Sequence, residues 1–512
     1  MRLLQESDRD VSGSTNKLAR GAGSALLVIA GARALRFVLQ LVLSRMLGAA
    51  DYGVFTLLMA ITYLGSMFSA FGFPIAIVRF GAAYRVAADH GRLSLLVRNS
   101  LLAIFVLGLV VATCLMLASD YLSGALSLGV DGGRLLVVCI WSVLFINVGV
   151  WAAGLLRSQS KAAAASMLQE FIPTLSRAIM ISLAVMTGAG LWGAVWGHFT
   201  AVLLVAVIGG MAVRRELKSL PIPGVKKITL GLSGLSPNMP QLLKVSAPLM
   251  LSGLTYTTLL YADRFMIAYF MEDIASVGVY SAAATIAMQM SVAMMAGNMI
   301  FAPMITAAFE EGDKDKMMRL LQRTTWWVTL LAVPIAIVIA MNARLLMNLF
   351  GLVFVQGATA LVVLAAAQLY NMVTGPIGIV LQMSGRQNLD LVINLFLVIV
   401  NVALNIVLIP RFGLEGAAIA TLISMLAVHT VRVVIVWKLY QLWSVTPRQL
   451  AVACAGFSVL GIGLFIGPIP VWMALSGTLA LIVAGTGLVL RLGLDDEDRG
   501  VIRMLGRRLG ES

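Results

Sequence analysis

Runs of 20 to 25 apolar residues recur from one end of this sequence to the other, separated by short stretches rich in charge, glycine or proline. A helix needs about 20 such residues to cross a bilayer, so each run is a candidate span. The period-two alternation of a membrane barrel is absent, and the pattern predicts an all-α polytopic membrane protein. Fourteen transmembrane helices are expected, over residues 21–44, 51–78, 94–118, 134–156, 162–187, 190–213, 241–271, 276–305, 320–342, 355–383, 388–409, 414–438, 449–467 and 470–490. The first 20 residues are polar, and the first span is too long for a cleavable leader and lacks a small-residue cleavage site. No removable signal is expected.

Interruptions of the apolar pattern carry the chemistry. Asp263 and Arg264 stand side by side within the span 241–271, about 100° apart around the helix, so each needs a partner from elsewhere. A charged side chain at the bilayer centre costs roughly 2.5 to 3.5 kcal/mol even on insertion scales, and it normally faces protein or a wet cavity. Arg33 and Arg36 share a face of the first span. Glu170 and Arg177, seven residues apart, share a face of the fifth, with Pro173 between them. Glu170 and Arg177 are expected to hold each other if both side chains extend. Asn394, Asn401 and Asn405 form a polar stripe on the eleventh. Arg33, Arg36, Arg177, Arg264, Asn394, Asn401 and Asn405 are therefore candidates for contact with a substrate, and Asp263 and Glu170 are candidates for binding a coupling H⁺ or Na⁺. His198, His429 and Arg432 read better as packing or snorkelling residues. Five arginines within spans against two acids leave an excess of positive charge, which favours an anionic substrate. The planar guanidinium fork suits a diphosphate. Pro74, Pro173, Pro248, Pro303, Pro334 and Pro376 fall within spans and permit bends.

The chain matches itself at nearly one offset. DYGVF from Asp51 falls on SVGVY from Ser276 at 225 residues, GLLRSQSK from Gly154 on GIVLQMSG from Gly378 at 224, and GLWGAVWG from Gly190 on GLEGAAIA from Gly413 at 223. Six spans per repeat is an even number, so the halves share an orientation and are related by an axis along the membrane normal. The expected division is residues 1–220 as an N-terminal lobe, 221–240 as a linker, 241–440 as a C-terminal lobe, and 441–512 as two additional helices with a basic amphipathic tail. At offset 224, Glu170 falls on Asn394 and Arg177 on Asn401.

Composition refines this picture in two respects. The chain of 512 residues is 60% hydrophobic and 12% charged, with a formal net charge of +14. That charge is topological and does not point to nucleic acid: 28 of the 32 basic residues outside the spans lie on one side, which places both termini in the cytoplasm. The longer cytoplasmic connections are 214–240 and 306–319. Cys114, Cys139 and Cys454 lie in apolar runs with no metal-ligand neighbour, and no metal or organic cofactor is expected. No connection exceeds about 30 residues, and none carries a P-loop, an acidic metal cluster or a nucleophile motif, which argues against an ATPase or membrane enzyme.

SRMLGAADYGVF at 44–55, ADRFMIAYF with VGVYSAA at 262–283, and NVALNIVLIPRFGLEGAAIAT at 401–421 resemble the multidrug/oligosaccharidyl-lipid/polysaccharide exporter superfamily, in its polysaccharide-transporter branch. The resemblance implies two six-helix lobes in a V shape plus two C-terminal helices, with alternating access. It also implies flipping of an undecaprenyl-diphosphate-linked oligosaccharide from the cytoplasmic to the periplasmic leaflet of a bacterial inner membrane, beside a polysaccharide polymerase or export machinery. A multidrug/cation antiporter of the same fold would want an acidic cavity. A peptidoglycan lipid-precursor flippase shares the diphosphate, and a glycan polymerase or ligase would need a catalytic loop.

Overall fold

The computed structural model describes residues 2–219 and 239–465, and residues 476, 477 and 480. Most of the expected linker, the fourteenth span and the amphipathic tail lie outside the described residues. Those described are helical, with no strand among them. Such a fold follows from the environment: with no water to satisfy backbone groups, an apolar chain in lipid pairs every N–H within its own helix.

The order is α1 (Arg2–Ala70), α2 (Phe73–Val86), α3 (His90–Leu117), α4 (Ser119–Ala125), α5 (Gly132–Ser158), α6 (Ala162–Ser166), a π turn (Met167–Phe171), α7 (Ile172–Ala184), a second π turn (Val185–Ala189) and α8 (Gly190–Ser219). There follow α9 (Met239–Met271), α10 (Ile274–Ala287), α11 (Ser291–Glu311), α12 (Lys314–Asn348), α13 (Ala358–Thr374), α14 (Ile377–Met383), α15 (Gln387–Tyr440) and α16 (Pro447–Phe465).

Eight stretches are long and apolar enough to cross a membrane. Three of them, Val28–Val86, Ala162–Lys218 and Gln387–Tyr440, run to 59, 57 and 54 residues, more than twice what one crossing requires. Each turns at glycine: Gly48 in α1, Gly188 and Gly190 before and at the start of α8, and Gly413 in α15. Gly190 (φ 52°, ψ −132°) and Gly413 (φ 57°, ψ −129°) have nearly the same backbone conformation. It resembles that of the first central residue of a type II′ turn, open at little cost only to glycine. The two positions matched in the sequence thus make the same turn.

Other boundaries depart from the expectation. The span 51–78 breaks at Phe71–Gly72, immediately before Pro74. The span 276–305 divides at a 3₁₀ turn, Met288–Met290. The span 355–383 breaks at Gly375–Pro376, where α13 gives way to α14. The expected connection 306–319 shrinks to Gly312 and Asp313, because Asp313 caps α12 by accepting from the Lys316 N–H at 2.8 Å. Its acidic residues start and end helices instead of forming a loop.

The chain divides into two compact units, Met1–Ser281 and Ala282–Ser512. Within the first, Phe73, Ile77, Leu93, Ile104, Trp151 and Leu168 belong to one buried cluster, in which the Trp151 indole N–H donates to Ser100 Oγ at 2.9 Å. Within the second, α12, α13, α15 and α16 pack around buried Leu321, Leu361, Leu369 and Val436.

Candidate functional site

Four elements of the first unit bring polar groups together. α1 supplies Arg33 and Arg36 before its bend at Gly48 and Tyr63 after it. The π turn and α7 supply Glu170 and Arg177, and α9 supplies Tyr261, Asp263 and Arg264. A π turn is a local widening common at functional sites, and here it carries Glu170.

Arg36 Nη2 pairs with Glu170 Oε2 at 2.9 Å. This corrects the expected Glu170–Arg177 pair. Seven helical residues separate that pair by roughly 10 Å along the axis, whereas Arg36 approaches from another helix. Arg177 instead donates through Nη1 to the Tyr63 hydroxyl, and through Nε to the Pro173 carbonyl at 3.0 Å. The Tyr63 and Tyr261 rings stack, with centroids 6.4 Å apart and planes 9° from parallel. Arg264 lies over the Tyr261 ring, its guanidinium carbon 4.9 Å from the centroid, and donates to the Leu260 carbonyl at 3.1 Å. Its Nε is buried without a hydrogen-bond partner. Among the described residues no carboxylate pairs with Arg177 or Arg264. Arg33 sits half-buried one turn before Arg36.

Asp263, 7% exposed, faces another partner: Tyr280 of α10 donates its hydroxyl to Asp263 Oδ2 at 2.6 Å. The adjacent Asp263 and Arg264 thus point at different neighbours, as their angular separation required.

The asparagine stripe lies in the second unit. Asn405 Nδ2 donates to Asn401 Oδ1 at 3.0 Å, and Asn401 Nδ2 reaches Thr421 Oγ1 at 3.4 Å across the turn at Gly413. Both asparagines are fully buried, joining the two limbs of α15. Asn394 is held between Asp390 and Arg432: it accepts from Arg432 at 2.6 Å and donates to Asp390 Oδ2 at 3.3 Å. Arg432 pairs with Asp390 at 3.0 Å, and Gln382 donates to the same carboxylate at 2.9 Å. Arg432 is therefore a paired internal cation rather than a snorkelling one. Asp390 is a third acid that the charge count omitted.

Tyr63 and Tyr261 were also missed, because a tyrosine in an apolar run reads as packing. Two signals pointed to Tyr261: it stands one turn before Arg264, and 225 residues after Arg36. Among the described residues no group of three or more His, Cys, Asp or Glu could hold a metal.

The cluster of the first unit thus offers two guanidiniums without carboxylate partners, beside a tyrosine stack and next to one intact ion pair. In a low-dielectric setting it can bind an anion bidentately and offer an aromatic face to a neutral ring.

Apolar helical stretches of bilayer length with arginines and acids gathered inside them define a membrane transporter of the exporter and flippase type. The chain belongs to the polysaccharide biosynthesis protein family, whose model matches residues 18–309, more than half its length. The MatE family model matches residues 248–407. Among solved structures, the lipid II flippase MurJ in an inward closed conformation is 12% identical, covering 91% of this chain and 98% of that one at a TM-score of 0.68. A multidrug resistance MATE family transporter of the MOP superfamily, in an inward-facing conformation, is 17% identical, covering 82% and 95% at 0.66. A MOP superfamily transporter from Pyrococcus furiosus, described as having a binding pocket of reverse polarity, is 15% identical, covering 87% and 95% at 0.58. These likenesses establish the fold. No curated protein sequence matches the chain.

Proposed function

We propose that this transporter moves an undecaprenyl-diphosphate-linked oligosaccharide from the cytoplasmic to the outer leaflet of a bacterial inner membrane, by alternating access. Its product would feed a polysaccharide polymerase or export machinery. The observation that carries this reading is the pair Arg177 and Arg264, neither with a carboxylate partner among the described residues, one bonded to the Tyr63 hydroxyl and the other over the Tyr261 ring of the same stack. Two uncompensated guanidiniums inside a membrane protein are costly alone and favourable around an anion. A diphosphate offers several oxygens in the geometry that a guanidinium fork fits. The tyrosines supply a surface for the first sugars, and membership of a polysaccharide biosynthesis family supports a glycan substrate.

The test is transport of a fluorescent lipid-diphosphate oligosaccharide in proteoliposomes, with a peptidoglycan lipid precursor and an organic cation as competitors. Arg177→Ala and Arg264→Ala should each lower the rate at least tenfold with normal membrane abundance, and Arg264→Lys should recover little of it. Full transport by both alanine variants, or preferential transport of the cation, would overturn the assignment. Preferential transport of the precursor would keep the diphosphate and change the glycan.

The same reading gives Asp263 a coupling role. It is a buried acid on α9, downstream of Pro248, and accepts a hydrogen bond from the Tyr280 hydroxyl. A coupling ion must bind the two states of the cycle differently. Asp263→Asn should retain lipid binding but slow turnover and flatten its dependence on a proton or sodium gradient. Undiminished gradient dependence would leave Asp263 as a structural group.

A further inference from the structure

Residues 169–177 hold three arginines in place by different means, all within the first unit. Arg157, at the end of α5, donates through Nη2 to Gln169 Oε1. Arg177 is held by the Pro173 carbonyl and the Tyr63 hydroxyl. Arg36 is held by charge, in its pair with Glu170 at 2.9 Å. A neutral acceptor orients a guanidinium and leaves its charge available, whereas a carboxylate cancels it. The Glu170 charge also reaches Arg157, and the charges of Arg264, Arg177 and Arg36 all act on the Tyr261 hydroxyl. The Arg36–Glu170 pair is therefore part of the same electrostatic cluster as the arginine and tyrosine site. It is also an open pair. Its side chains are 45% and 29% exposed, against 11% and 5% for Arg432 and Asp390. Parting a buried pair strands a charge, but an open pair is weak, because water can take the place of either partner. Asp390 is thus a fixed brace and Glu170 an exchangeable one. Lipid would make an open charge pair costly, so its open side faces an aqueous region.

Resting on the transport reading above, we infer that Glu170 is an internal counter-anion, which occupies Arg36 in the empty transporter and is displaced from it by a phosphate of the lipid diphosphate. A diphosphate carries more charge than one carboxylate and grips the guanidinium fork at two oxygens, so it wins the exchange. When the substrate leaves, the carboxylate returns to Arg36. Passage requires binding favourable enough to enter and weak enough to leave, and a carboxylate competing for one arginine limits how tightly the site holds an anion. Glu170 thereby sets the affinity for the lipid diphosphate. This part is distinct from that of Asp263, which accepts from Tyr280.

The test measures binding of farnesyl diphosphate to the full chain in nanodiscs, together with lipid-linked glycan transport in proteoliposomes. Glu170→Gln, which keeps the shape and removes the charge, should bind the probe severalfold more tightly and lower both KM and kcat for transport. Glu170→Asp, which keeps the charge, should stay close to the wild-type values. Arg36→Ala should weaken binding, and adding Glu170→Gln to it should bring a much smaller gain, because the counter-anion acts through Arg36. Unchanged or weaker binding by Glu170→Gln, or its failure to fold, would make the pair a structural brace and overturn the inference. An equal gain in the Arg36→Ala background would reduce Glu170 to a distant charge and overturn it too. Absence of probe binding by both the wild-type chain and Glu170→Gln would overturn the transport reading and the inference with it, whereas equal binding by the two overturns the inference alone.

Discussion

Arg432 and Arg264 are both largely enclosed arginines in apolar helices, Arg264 buried and Arg432 half-buried, yet their surroundings assign them opposite parts. Arg432 is engaged by Asp390 and Asn394, with Gln382 satisfying the same carboxylate. Removing one partner of such a pair strands a charge, and costs about 3–5 kcal/mol where replacing both is often neutral. Asp390→Ala should therefore lower thermal stability in detergent by an amount of that order. Asp390→Ala/Arg432→Met should restore much of it, read as the midpoint of unfolding. Among the described residues Arg264 has backbone and aromatic partners only, which is why its substitution is expected to alter transport with little loss of protein. The sequence singled out Arg36, Glu170, Arg177, Asp263 and Arg264 as charged groups within apolar helices. Their partners were not legible, since Arg36 and Glu170 are 134 residues apart and Tyr63 and Arg177 are 114 apart. Periodicity reports which face of its own helix a residue occupies and nothing about the helix opposite.

Bends decide which of those faces meet. The turn at Gly413 folds α15 back on itself, and Asn394 and Arg432 each stand 19 residues from it, so their contact follows from hairpin register alone. The Asp390 network could thus have been found from the sequence once Gly413 was taken as a turn. Asp390 stands in the first turn of α15, where an acid gives no signal of an internal partner. Holding a residue with a Cβ in the Gly190 and Gly413 conformation costs of order 1–3 kcal/mol. Gly413→Ala and Gly190→Ala should each lower the unfolding midpoint accordingly. Gly124→Ala, in open space on α4 without a positive φ, should leave it unchanged. Equal, small effects at all three positions would mean that the turns tolerate side chains. Proline marked some interruptions, as at Pro74 and Pro376, but Pro248, Pro303 and Pro334 lie inside helices that continue. A missing N–H weakens a helix without fixing where it ends.

For the whole molecule, the distribution of basic residues predicts that both termini and the 214–240 linker face the cytoplasm, a consequence of insertion rather than of packing. A cysteine introduced at Lys226 should be modified by impermeant reagent in inverted vesicles and protected in intact cells. The reverse pattern would invert the topology and the direction of transport. Hydropathy made the helical class legible at this scale, because lipid leaves an apolar chain few alternatives. The expected gaps between spans at 44–51, 187–190 and 409–414 fall on the turns at Gly48, Gly188–Gly190 and Gly413, whereas the breaks at Phe71–Gly72 and Gly375–Pro376 fall inside expected spans.

The π turn at Met167–Phe171 bears on how such a molecule arose. Between the second and third sequence matches the first repeat holds 28 residues, 162–189, and the second holds 27, 386–412. The longer copy contains both π turns, and the first of them, Met167–Phe171, is a widening by which a helix accommodates one extra residue without a loop. The offset falls from 224 to 223 across that segment. This is the trace expected of a gene duplication followed by a net change of one codon in one copy. The change rotated the downstream face of one helix relative to its twin. Glu170 lies in the altered turn and its counterpart is Asn394, so that small asymmetry sits where the duplicated halves have come to differ in charge.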